Sequence, residues 1–212
     1  MATPLRIRCS CGAFTAEAGD VTPAGGNHVV CYCDDCQSFA RFLGRAAEIL
    51  DEHGGSEIFQ MSAARVTVLS GAPHLACMRL SPKGMCRWYA SCCNTPIGNT
   101  LPTPAIPFVG LIHSCIEAPP GDPTLERTLG PVRARAFGKF AHGDPATLPP
   151  RGSLLLVVLR FLALVLRWRL RGDQKRSAFF KPGTNELRVA PRVLTLAERN
   201  AVRPVEAGAA SS

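Results

Sequence analysis

With 212 residues, of which 46% are hydrophobic and 19% charged, the chain has material for about one domain with a proper core, which excludes wholesale disorder. Its 19 glycines and 18 prolines disfavour a helical bundle, and no apolar run reaches the ~18–20 residues of a membrane-spanning helix. The net charge of +8 comes entirely from residues 151–212, with 12 basic and 4 acidic side chains, whereas residues 1–150 hold 12 of each; a neutral body of this kind argues against a dedicated nucleic-acid-binding core.

Residues 5–9 and 12–18 read as two short strands around a Cys-Ser-Cys-Gly turn. The β-branched run at 28–33 leads into a predicted helix at 34–43, whose opening acids Asp34 and Asp35 suit the helix dipole. Further strands are expected at 56–61, 65–69, 75–80 and 85–90, separated by Gly and Pro. Residues 96–107 hold four prolines and are expected to cross the fold irregularly before a last apolar strand at 108–116. Residues 1–8 lack the apolar stretch of a secretory signal, so the expectation is a soluble, cytoplasmic protein with reduced thiols.

The last third changes character. Residues 154–166 carry a single charge, Arg160, and Arg-Trp-Arg-Leu-Arg follows directly. At 100° per residue this predicts an amphipathic helix of about 18 residues with a wide apolar face. Such a helix packs on the body, on a second copy through residues 154–170, or on a membrane surface; as a spanning helix it would place Arg160 in hydrocarbon. A short helix within 190–202 has Thr195 as its cap and Glu198 at capping-box spacing. Residues 207–212 are expected to be disordered. The division is a mainly-β body over 1–150 and a helical, basic extension over 151–212.

Ten cysteines carry the chemistry. Cys77 and Cys115 lie in strand-like runs and read as small buried hydrophobes. The clustered ones read as metal ligands. Cys9 and Cys11 supply a pair from one turn; Cys31, Cys33 and Cys36 supply three thiolates from a strand end and the first turn of a helix; Cys92 and Cys93 add one or two from a third segment. Three thiolates hold zinc and leave a position for water or substrate, whereas four close the site. His28 and His53 are the histidines nearest the motif in sequence, and Arg87 is a candidate for binding a substrate carboxylate.

In this order, Ile7-Arg8-Cys9-Ser10-Cys11-Gly12-Ala13, Cys31-Tyr32-Cys33-Asp34-Asp35-Cys36 and Arg87-Trp88-Tyr89-Ala90-Ser91-Cys92-Cys93-Asn94-Thr95-Pro96 resemble the glutathione-dependent formaldehyde-activating enzyme family, which includes centromere protein V. The resemblance covers roughly residues 5–115. It implies a β-tent fold pinned by a structural zinc on Cys9, Cys11 and Cys93, with a second zinc on Cys31, Cys33 and Cys36. The implied activity is that of a carbon–sulfur lyase joining the thiol of glutathione to formaldehyde. This chain departs from the family at Ala90, where a cysteine is usual, which leaves Cys92 and Cys86 as alternative fourth ligands. It departs again at Tyr32 and at Gln37, where the family often has His and a basic residue. The expectation is therefore one or two zinc ions per chain, with a small-molecule thiol such as glutathione as partner. The alternative is a non-catalytic, zinc-stabilised module whose basic helix meets a partner, a membrane surface or nucleic acid.

Overall fold

The computed structural model describes residues 4–204, so the segment 207–212 lies outside the described residues. The strands are β1 (Leu5–Arg8), β2 (Thr15–Ala18), β3 (Asn27–Cys31), β4 (Ser56–Ser62), β5 (Val66–Ser70), β6 (Leu75–Arg79), β7 (Cys86–Ala90), β8 (Thr95–Thr100), β9 (Phe108–Ile112), β10 (Ala134–Ala136) and β11 (Arg192–Val193). The helices are α1 (Asp34–Phe42), α2 (Ala46–Ile49), α3 (Glu126–Leu129), α4 (Leu154–Leu170) and α5 (Leu196–Val202). The protein is mainly β, with the cysteine clusters in the body and α4 near the C-terminus.

The strands form two sheets. One is three-stranded, in the order β1-β2-β5; the other is eight-stranded, in the order β10-β3-β4-β9-β8-β7-β6-β11. All pairs are antiparallel except at the two edges, where β10 runs parallel to β3 and β11 parallel to β6. The period-2 alternation of β7 assigns its side chains to two layers. Cys86, Trp88 and Ala90 enter the core beneath the small sheet with Ile7, Phe14, Ile97 and Val109. Tyr89 faces the other side, where α1 packs Phe39, Ala40 and Leu43 on Ile58, Met78 and Ile112. Arg87 shares that side and lies beneath α1, its guanidinium over the Phe39 ring.

The expectation of an irregular crossing at 96–107 is corrected: residues 95–100 form a buried interior strand. Pro96 fits because the register shifts between Trp88 and Tyr89 opposite it, and pairing with β9 on the other side involves only Gly98 and Asn99. A missing N–H is tolerated at such a break in the ladder. The short edge strands β10 and β11 and the helix α2 were not legible in the pattern, being two to four residues long.

Residues beyond 150 are stitched into the same cores. Leu164 and Trp168 of α4 pack on Phe108, and Phe179 packs against Trp88 with ring centroids 5.0 Å apart and the planes tilted by 43°. Buried Asp173 accepts a hydrogen bond from the Ser62 hydroxyl at 2.8 Å, fixing the chain just past α4. The capping box is present at α5, between Thr195 and Glu198. Among the described residues no helix is long and apolar enough to cross a membrane.

Cys77 and Cys115 are core residues, 3% and 2% exposed. Burial pushes the Cys115 thiol up to about 12 from the 9.0 of an unburied cysteine. A thiol held protonated by folding contributes stability that is complete below pH 9 and is lost as the pH rises toward 12. The expected slope is at most about 1.4 kcal/mol per pH unit for this one group. Urea unfolding at pH 8, 9.5 and 10.5 checks it: stability should fall with pH more steeply in the native protein than in Cys115→Ala, and parallel curves would refute it.

Candidate metal centres

The turn after β1 reverses at Gly12, whose φ of 76° suits glycine, and the Gly12 N–H donates to the Cys9 carbonyl at 2.9 Å. The Phe14 N–H donates to Cys9 Sγ at 3.2 Å. The turn between β7 and β8 reverses at Asn94, φ 55°, and aims two consecutive cysteines at the first turn. Thr95 ties the turns together: its Oγ1 accepts from the Ser10 N–H at 3.0 Å and lies 3.1 Å from Cys93 Sγ. The outcome is a four-sulfur group of Cys9, Cys11, Cys92 and Cys93.

The Cys9–Cys11, Cys9–Cys92, Cys11–Cys92 and Cys92–Cys93 sulfurs are 3.5, 3.7, 3.3 and 3.8 Å apart. A tetrahedral ion bound to sulfur at ~2.3 Å requires edges of ~3.8 Å, so the donors fit a closed site. Against the upward push of burial, hydrogen bonds from Ser10 and Thr95 bring Cys93 down to about 5, while burial and its three thiol neighbours push Cys92 up. Of the two alternative fourth ligands, it is Cys92 that lies with the other three sulfurs. Cys86 is fully buried on β7, within the core that also holds Cys77.

The second group is Cys31, Cys33 and Cys36, whose sulfurs lie within 4.8 Å of one another. Cys31 ends β3 and Cys33 is the N-cap of α1, its sulfur accepting from the Cys36 N–H at 3.4 Å. A helix N-terminus favours a thiolate. Cys31 and Cys33 are 3.3 Å apart and half-buried, and Cys36 is buried.

Arg87 reaches this cluster from beneath. It is 3% exposed, and its Nη1 points at Cys36 Sγ from 3.9 Å. It donates to Asn99 Oδ1 at 3.2 Å, lies 3.7 Å from Asp35, and sits over the Phe39 ring at 5.5 Å. Hydrogen bonds from Cys31 and Cys33, together with the Arg87 cation, hold Cys36 well below an ordinary thiol in spite of burial. Its two partners are driven the other way. Cys31 is raised by its bonds to Cys33 and Cys36, and Cys33, although pulled down by Cys31, is pushed by Cys36 and burial up to about 12. Within the trio the proton affinities are thus driven apart, Cys36 downward and Cys31 and Cys33 upward, beside one guanidinium.

The candidate substrate-carboxylate role of Arg87 does not suit a guanidinium so enclosed; its partners are internal. Asp34 and Asp35 serve as ion-pair partners of Arg203 and Arg87. His28 is pinned between the Gly130 carbonyl at 2.6 Å and Glu57 at 2.5 Å, and the Nδ1 of His53 bonds the His142 carbonyl. Neither histidine joins the thiols. Tyr32 and Gln37, the two departures from the family pattern, are buried braces. The Tyr32 hydroxyl donates to Asp51, and the Gln37 amide donates to the Tyr32 and Phe140 carbonyls. Sequence reasoning missed Asn99 and Phe39 as supports of Arg87. The only signal was register: Arg87 and Asn99 are cross-strand partners on β7 and β8.

Fold and sites together define a mainly-β protein with two cysteine groups placed to hold metal ions. The chain belongs to the family of unknown function DUF6151, whose model matches residues 1–189. No curated protein matches it. A crystal structure of a Rhodobacter sphaeroides protein aligns over 55% of this chain and 91% of its own, with 17% identity and a TM-score of 0.38.

Proposed function

We propose that this chain is a zinc protein with a closed structural centre on Cys9, Cys11, Cys92 and Cys93 and an open reactive centre on Cys31, Cys33 and Cys36. We propose further that the open centre serves a carbon–sulfur lyase reaction, joining the thiol of glutathione or a similar small molecule to formaldehyde. The observation that carries the reading is the division of seven thiols into four and three. Soft, all-sulfur donor sets suit zinc over hard divalent cations, and a three-ligand site leaves a position for substrate. Bound there, zinc supplies a Lewis acid that holds a thiolate or polarises a carbonyl.

The chain's own residues prepare that chemistry. Cys36 is held well below an ordinary thiol, so it yields its proton to an incoming metal more readily than its two neighbours. Three thiolates around a divalent cation sum to one negative charge, which the buried Arg87 balances while Asn99 and Phe39 hold it in place. Support for glutathione and formaldehyde comes from the sequence resemblance.

The test is thermal unfolding with and without millimolar glutathione, followed by an assay for the glutathione–formaldehyde adduct. A ligand at ten times its Kd stabilises by about 1.4 kcal/mol, which is about 3–5 °C for a chain of this size. We expect that shift in the native protein and its loss in Cys33→Ser. Absence of both shift and adduct, with metal present, would retire this substrate and leave the metal sites standing.

A further inference from the structure

We propose that the outer face of α4 seats the protein on the surface of a bilayer containing anionic lipid. The inner face of this 17-residue helix is spent on the body, through Leu164 and Trp168. The opposite face is a row of Leu155, Leu159, Leu162, Leu166 and Leu170, each between 54% and 80% exposed. At 100° per residue these five fall within a wedge of about 80° running the length of the helix. A continuous exposed row of leucines is too large to leave in water without purpose.

Arg160, the one charge within the apolar stretch, does not interrupt that row. Its guanidinium turns inward and donates to the Pro23 and Ala24 carbonyls at 2.9 and 2.8 Å. The remaining charges gather at one end. Arg167 and Arg169 flank the leucine row on its two sides, and Arg171 follows. Beside them opens a pocket of about 290 Å³ lined by Arg65, Arg167 and Arg171 together with Thr22 and Ser62. Asp20, on the same wall, is spent on Arg65 at 2.6 Å, so the pocket keeps a positive excess suited to a lipid phosphate. At the other end of α4, exposed Phe137 and Phe140 accompany Lys139 and Arg151. Aromatic and basic side chains at the ends of an apolar stripe are the composition of an interfacial helix.

Charge decides between a bilayer and a second copy of this chain. No acidic residue occurs from 145 to 172, while five arginines do. Two α4 faces laid together would bring arginines into proximity with no carboxylate to answer them, whereas anionic headgroups supply that counter-charge. Among the described residues no helix is long and apolar enough to span, and the 17 residues of α4 rise about 25 Å against a hydrocarbon core of about 30 Å.

The experiment is co-sedimentation of the full, metal-loaded protein with vesicles of phosphatidylcholine alone or with about 30 mol% phosphatidylserine, at low and high salt. We expect binding to the anionic vesicles that weakens with salt. Leu159→Glu with Leu166→Glu should abolish it. These positions face solvent, and unchanged metal content and circular dichroism would confirm that the variant folds. Arg167→Gln, Arg169→Gln and Arg171→Gln together should weaken binding about 100-fold, at about fivefold per arginine. Absence of binding to anionic vesicles, or binding indifferent to the leucine exchanges, would overturn the proposal. So would a dimer in sedimentation equilibrium that the same leucine exchanges dissociate in a protein that ignores vesicles; that result would assign the face to a second copy.

Discussion

Exchange of Cys9 for serine is expected to remove one metal ion per chain and to lower the melting temperature by roughly 10–20 °C, whereas Cys33→Ser should remove one ion with little change in melting. The asymmetry follows from chain topology. Cys9 closes the end of β1 in the small sheet, and Cys92 lies 83 residues later in a turn of the large sheet. A metal bridging them closes a long loop and ties the two sheets across the principal core. A cross-link over a loop of that length restrains the unfolded chain by about 4–5 kcal/mol on the loop-entropy account. For a chain of about 200 residues each kcal/mol moves the midpoint by about 2–4 °C. Cys31, Cys33 and Cys36 span six residues already ordered by β3 and α1, so a metal there closes almost no loop. Its loss should be read in elemental analysis rather than in the melting curve. Equal melting shifts for the two variants would overturn the assignment of a structural and a reactive centre.

The parts of this design that are local in sequence were legible before the structure. Cys-x-Cys-Gly and Cys-x-Cys-x-x-Cys each place their cysteines within one turn, so spacing alone pointed to the thiols that the structure groups together. The helix at 34–43 and the Thr195 cap were equally local, and both are present with small changes of boundary. What failed was whatever depends on a partner strand. Pro96 reads as a breaker until the register shift opposite it is known. The choice between Cys86 and Cys92 turns on strand parity: Cys86 shares the inward face of β7 with Trp88, while Cys92 lies beyond the strand, where alternation no longer holds. Arg87 was visible as a residue but not as a neighbour of Cys36, because 51 positions separate them in the chain.

That neighbour yields the second large effect. Arg87→Met should weaken metal binding at Cys31, Cys33 and Cys36 by about 10–100-fold, the range typical of groups just outside a ligand shell. The other centre should stay fully loaded. Methionine preserves much of the packing against Phe39 while deleting the charge, so the change isolates electrostatics. Arg87→Lys should recover only part of the loss, because an ammonium cannot reproduce the planar fork that serves Asn99, Asp35 and Cys36 together. The pH dependence carries a definite sign. Metal competes with protons for the sulfurs, and the Arg87 cation helps keep Cys36 below an ordinary thiol. Without it the Cys36 proton is held more tightly, so the pH of half-loading should move upward. Titration against a chelator at pH 6, 7 and 8 measures this, with retained metal at Cys9, Cys11, Cys92 and Cys93 as the internal check on folding. A loading curve unchanged in both midpoint and affinity would mean that the guanidinium holds α1 to the sheet and contributes nothing to the charge of the centre.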